Sequence, residues 1–323
     1  MYSFQYPFWD EKHFPGFRNW MNELYHNTIQ MYPGDRRNSK LLAQSYCQAV
    51  EYFYVSLIKL GYVKKSNFSS ILKEIKRLQF FDKLEGNVNA YAMFDGGKIQ
   101  VSPKLSTPLS KTMVLSHEMS HVINYRWIMD AQKFADSAYR IPSISKKLKA
   151  LGLDSSDYIF CGFRLIDAVI AEEVGESVLY RLVQKNRPPK KERINTQIFG
   201  NKAYSTNFMI YGEFQEIAEK FCRQLSFLNK KSGNDVLKQL VIQSFSPDFF
   251  SKITTEALQC PEDIERIILM LACMGKLFRY TYGNVGLYKK EYHVDTYMRL
   301  FDRLCSSKDK YEIKGKHVFD KRI

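Results

Sequence analysis

Thr107-Pro108-Leu109-Ser110-Lys111-Thr112-Met113-Val114-Leu115-Ser116-His117-Glu118-Met119-Ser120-His121-Val122-Ile123 is the stretch on which the reading of this chain turns. Thr107 is a good N-cap and Pro108 suits the first helical position, so a helix opens here. Apolar Met113, Val114, Leu115, Val122 and Ile123 carry it to about Trp127. Residues four apart on a helix share a face. His117 and His121 of this H-E-x-x-H can therefore both aim an imidazole nitrogen at one Zn²⁺, at about 2.0–2.1 Å. Glu118 lies one residue round, where its carboxylate can reach a zinc-bound water without ligating the metal. With 6 histidines in 323 residues, chance would place about 0.006 such motifs in a chain of this composition. Two histidines and a glutamate set mid-helix without a partner would be costly to bury.

Catalytic zinc usually has three protein ligands and a water. The other histidines, His13, His26, His293 and His317, include none at the spacing of a third histidine ligand, and position 127 is Trp. A carboxylate is then expected, and Ala168-Val-Ile-Ala-Glu172-Glu173-Val-Gly175-Glu176-Ser-Val-Leu-Tyr180 offers three on a predicted helix. A glycine inside a helix costs about 1 kcal/mol relative to alanine, so Gly175 marks a face where another helix comes close. Positions 172, 175, 176 and 179 share that face. Glu172 is expected to ligate zinc, with Glu176 one turn on hydrogen-bonding a histidine ligand from outside. Glu173 is the alternative ligand; otherwise it belongs to a solvated acidic patch.

Working outward, Asn89-Ala90-Tyr91-Ala92-Met93-Phe94 and Lys98-Ile99-Gln100-Val101-Ser102 are strand-like runs around an Asp95-Gly96-Gly97 turn. The first could pair with an extended substrate beside the zinc, which makes Asn89, Ala90, Tyr91 and Ala92 candidates for binding it. Helices are expected over about 39–60, 69–81, 165–183, 213–228, 234–244, 261–280 and 293–305. The organisation that follows is an irregular aromatic-rich segment over 1–35 and a catalytic core over 36–184. A basic, proline-containing linker at 185–195 then leads to a helical C-terminal lobe over 196–323. The fold class is mainly α (α+β), with one small sheet before the H-E-x-x-H helix.

Asn89-Ala-Tyr-Ala, Gly96-Gly97-Lys-Ile-Gln-Val and Val114-Leu115-Ser-His117-Glu118-Met-Ser-His121 together resemble the CAAX-prenyl-protease and HtpX-type gluzincin metallopeptidases. Those proteins share an N-A-[FY]-A strand, a Gly-Gly turn and V-L-x-H-E-x-x-H. The resemblance covers roughly residues 88–123 and 169–180. It implies a zincin core, and a third ligand from an E-x-x-A-D motif that places Glu172 as the ligand, Gly175 at the Ala and Glu176 at the Asp. Gly-Glu stands here for Ala-Asp, and no membrane span accompanies the motif.

The chain carries a formal charge of +14, with 45% apolar and 15% aromatic residues, which excludes a disordered chain. Its basic residues fall in separate clusters with no zinc finger, RNP or KH signature, so nucleic acid is not the expected partner. Six scattered cysteines without a C-x-x-C pair suit a reducing cytoplasm, and the first residues do not form an ordinary secretory signal. The expected activity is zinc-dependent endopeptidase action on a peptide or protein substrate, one Zn²⁺ per chain, with Glu118 as general base. The alternatives are a regulatory zincin dedicated to one partner and a non-catalytic basic helical binding protein. Tyr180, Tyr204, Tyr211 and His293 are candidates for stabilising the oxyanion; the oligomeric state is not encoded in any motif.

Overall fold

A computed structural model of the chain describes residues 1–7, 9–32, 36–74, 78–81, 90–93, 97–102, 108–184, 214–229, 236–258, 261–283 and 292–306. The helices are α1 (Phe17–Met31), α2 (Arg36–Lys59), α3 (Phe68–Glu74), α4 (Pro108–Tyr139), α5 (Pro142–Ala150) and α6 (Ser156–Leu182). They continue with α7 (214–222), α8 (Ser226–Asn229), α9 (Val236–Ser244), α10 (Phe249–Leu258), α11 (Pro261–Gly283) and α12 (Tyr292–Ser306). Three short strands, β1 (Gln79–Phe81), β2 (Ala90–Met93) and β3 (Lys98–Val101), form one sheet in the order β1-β3-β2. The chain is mainly α with a small sheet ahead of the H-E-x-x-H helix. None of the described helices is long and apolar enough to cross a membrane.

Packing divides the chain into two units. The first comprises Met1–Arg126, Ile170–Phe208 and Val241–Phe245; the second comprises Trp127–Val169, Met209–Leu240 and Ser246–Ile323. The dividing points include positions inside α4 and α6. The proposed linker at 185–195 lies outside the described residues, as does the turn at 94–96. Gly97, at φ 111°, takes a conformation that L side chains avoid and leads into β3.

In the first unit, the N-terminal segment differs from the expected irregular form. Residues 17–31 are a helix, opened by Gly16 at φ 75°, with Phe17, Trp20, Met21, Leu24 and Thr28 buried along one face. That three-to-four spacing is a helical stripe, hidden in the sequence by the flanking Pro and Gly. Residues before it are pinned by one carboxylate. Glu51 of α2, fully buried, accepts hydrogen bonds from Tyr2 Oη at 2.5 Å, Gln5 N at 2.9 Å, Tyr6 N at 3.0 Å and Trp9 Nε1 at 2.9 Å. Four donors compensate the desolvation that an isolated carboxylate would suffer. Trp9 packs on Phe17 with ring centroids 4.1 Å apart, and Phe14 meets Phe68 edge-on at 4.9 Å.

The helix expected over 69–81 stops at Glu74, and Gln79-Phe80-Phe81 is a strand instead. It pairs in parallel with β3, Phe80 opposite Ile99, while β2 pairs antiparallel on the other side of β3. Burial of Phe80 and its stacking on Tyr46 of α2, with centroids at 4.5 Å and planes 11° apart, override the local helical spacing. Among the described residues, this leaves β2 as the outer strand at its side of the sheet.

α6 is buried on all sides: every residue from Leu165 to Tyr180 is inaccessible or nearly so. In the second unit, α6 meets α11 through two glycines. A Cβ on Gly275 would lie 1.7 Å from the Tyr158 carbonyl oxygen, and one on Gly162 would lie 2.2 Å from that of Leu271. Only hydrogen fits at either position. α4 also runs on past Trp127, its expected end, to Tyr139. There Phe134 meets Phe163 and Phe250 at centroid distances of 6.1 and 6.0 Å. Helices α5 and α10 had no sequence-based expectation.

Candidate metal centre

The histidines and Glu118 of the motif, the three glutamates of α6 and β2 all belong to the first unit. The buried hydroxyls beside the motif look after themselves. Ser116 donates to the Thr112 carbonyl at 2.7 Å and Ser120 to the Ser116 carbonyl at 2.8 Å, so neither competes for the histidines. His117 and His121, one turn apart on α4, converge: their Nε2 atoms are 3.1 Å apart. The edge of a tetrahedron around zinc with bonds of 2.0–2.1 Å is about 3.3 Å, so the two lone pairs are spaced as a pair of ligands would be.

α6 reaches this point because of Gly175. A Cβ there would stand 3.3 Å from both the Cβ of His117 and the carbonyl oxygen of Met113, so the two helices are in close contact at the first histidine. This is the close approach expected of a mid-helix glycine. One turn earlier, Glu172 is 4% exposed. Its Oε2 lies 3.2 Å from Nδ1 of His117, and its Oε1 is buried with no hydrogen-bond partner.

That contact is made by Oε2. Nδ1 is the ring nitrogen facing away from the Nε2 pair, and a carboxylate there orients a histidine rather than sharing its metal. Oε2 of Glu172 thus makes a contact of the kind expected of Glu176, while its Oε1 keeps no partner. Among the described residues no group of three His, Cys, Asp or Glu side chains is gathered closely enough to hold a metal. Glu176 is buried beside it at 5% exposure. Glu173, at 1%, is no part of a solvated acidic patch. The physical reason is α6 itself, whose surroundings leave no wet face.

Glu118 is 8% exposed, and its Oε2 accepts a hydrogen bond from the backbone N–H of Ala92 at 2.6 Å. Of the substrate-strand candidates, Ala90, Tyr91 and Ala92 lie on β2, with the two alanines turned inward and Tyr91 exposed; Asn89 lies outside the described residues. The Ala92 donor had no signal in the sequence, because a backbone N–H is common to every residue type but proline. Of the oxyanion candidates, Tyr180 is buried on α6. His293 falls within α12, in the second unit, while Tyr204 and Tyr211 lie outside the described residues.

Two imidazole nitrogens facing one another are donors of a kind that suits a divalent cation, and the buried Oε1 of Glu172 has no hydrogen-bond partner, but among the described residues no third side chain joins the pair. No known protein family, curated protein or solved structure matches the chain.

Proposed function

We propose that this chain is a zinc-dependent metalloendopeptidase of the gluzincin type, with a zincin-like core carried on α4, α6 and the sheet. The observation that supports this best is the pair of Nε2 atoms 3.1 Å apart, one helical turn apart on α4. His117 and His121 would hold the cation. Bound zinc lowers the pKa of a coordinated water towards about 7 and polarises a carbonyl.

The rest of the chemistry belongs to the protein. Glu172 accepts the Nδ1 proton of His117, which fixes the tautomer and makes Nε2 the nitrogen that ligates. Glu118, its Oε2 held by Ala92, takes a proton from the attacking water on Oε1 and hands it to the leaving amine. Water's oxygen joins the carbonyl carbon, and the C–N bond breaks. A carboxylate of α6 completes the ligand set, Glu172 through its unpartnered Oε1 or, as the alternative, Glu173. The five described cysteines, all free, suit a cytoplasmic setting.

The test is metal analysis of the purified protein combined with Glu118→Gln. One zinc per chain, retained in the variant while peptide hydrolysis disappears, is the expected result. Absence of zinc, or hydrolysis unaltered by the substitution, overturns the reading.

A further inference from the structure

The structure assigns the Glu118 carboxylate a dedicated positioning donor, the backbone N–H of Ala92. Taking Glu118 as a base rests on the peptidase reading; the bond itself does not. Among the described residues β2 has a single sheet neighbour, β3. In an antiparallel pair the N–H and C=O of one residue point to the same side, and successive residues alternate. Since the Ala92 N–H goes to Glu118, it points away from β3, out of the free edge, and its C=O does too. This is the edge on which an added peptide strand would seek its main-chain bonds.

A peptide carbonyl and the Glu118 carboxylate therefore compete for one donor. The carboxylate wins. A charge-assisted hydrogen bond is about twice as strong as a neutral one, and this one is 2.6 Å long between residues only 9% and 8% exposed, where low polarity strengthens it further. An added strand thus pairs at residue 92 through the Ala92 C=O alone, and its register is set by the donor it is refused. Glu118, anchored by Oε2, keeps Oε1 for the proton. Scanning side chains would miss this role, because position 92 acts through its main chain. Proline alone removes the donor, and an edge strand tolerates proline where the N–H faces outward.

Residue-resolved amide hydrogen exchange on the full-length protein tests the bond. The Ala92 amide should exchange slowly in the wild type and in Glu118→Gln, which keeps an acceptor oxygen. In Glu118→Ala it should exchange about tenfold faster or more, as a local opening would. An unchanged rate in Glu118→Ala overturns the assignment. The positioning role is read from Ala92→Pro loaded with zinc and assayed on a quenched fluorogenic peptide library. A fall of about 100-fold in kcat, with KM and zinc stoichiometry retained, is expected; an unchanged kcat overturns the role. If the zinc-loaded wild type cleaves nothing in the library, the peptidase reading fails, while the exchange comparison still decides the bond.

Discussion

Gly175 of α6 lies against His117 of α4, so close that a methyl group on the glycine would stand 3.3 Å from the histidine Cβ. The glycine sets how near the carboxylate-bearing helix comes to the motif. Alanine there meets a tight contact but gains about 1 kcal/mol of helix propensity, so Gly175→Ala should change stability little. Gly175→Val should push the helices apart, costing about 1–3 kcal/mol and weakening zinc binding. Urea unfolding and zinc titration of both variants check this; valine without effect on either would be the contrary result.

The crossing of α6 with α11 should behave differently. A Cβ on Gly275 would sit 1.7 Å from a backbone oxygen, where no side chain can swing aside. Gly275→Ala is expected to cost about 3 kcal/mol or more, beyond ordinary overpacking. The measurement is the denaturant midpoint, and a variant as stable as the wild type would contradict the packing described.

Glu172 can be assigned by metal affinity. As the partner of His117 Nδ1 its loss in Glu172→Ala should raise the zinc dissociation constant about 10- to 100-fold. Glu172→Gln, with an oxygen still able to accept the Nδ1 proton, should lose less. Zinc binding abolished outright by both substitutions would place Glu172, rather than Glu173, in the ligand set. His117→Ala and His121→Ala provide the comparison.

The fully buried carboxylate of Glu51 holds four donors of residues 2–9: the buried Tyr2 hydroxyl and Trp9 indole, and the part-buried backbone amides of Gln5 and Tyr6. Replacing it by alanine leaves the buried Tyr2 and Trp9 donors unsatisfied, an outcome worth about 3 kcal/mol. Tryptophan fluorescence should report the loss, since Trp9 both bonds Glu51 and packs within the aromatic cluster. An unfolding curve superimposable on the wild type would refute the anchoring role.

Alkali should destabilise the protein. Burial pushes the thiols of Cys222 and Cys305 up to about 12 from an ordinary value near 9, and raises those of Cys47 and Cys273 as well. Burial first, then the hydrogen bond to Glu51, raises Tyr2 in the same direction. A group whose folded pKa is raised gives up its proton more easily when unfolded. Its contribution is whole below the unfolded value and declines as pH climbs toward the folded one. Urea midpoints should accordingly hold steady up to about pH 8.5 and fall beyond it, with Tyr2→Phe shallower above about pH 10. A midpoint independent of pH up to 11 would rule out this source.

The H-E-x-x-H helix, the two-histidine face and the meaning of Gly175 were all legible in the linear chain, as was the strand around residues 90–93. Each is a short-range property: a period of 3.6 or 2, a capping pair, or one residue lacking a side chain where another helix must fit. Gln79-Phe80-Phe81 was misread as a helix end for the complementary reason. Its strand form depends on Tyr46 and on residues 98–100, partners distant along the chain.

By itself the sequence determined which residues could share a face and which chemistry they could support. Only the tertiary structure decided that Glu172 meets Nδ1 of His117, that Glu173 is buried, and that the Ala92 N–H is the partner of Glu118. Those outcomes depend on the rotation and offset of α6 against α4 and on which edge of the sheet faces the motif. Both are fixed by the packing of whole elements, which no local spacing encodes.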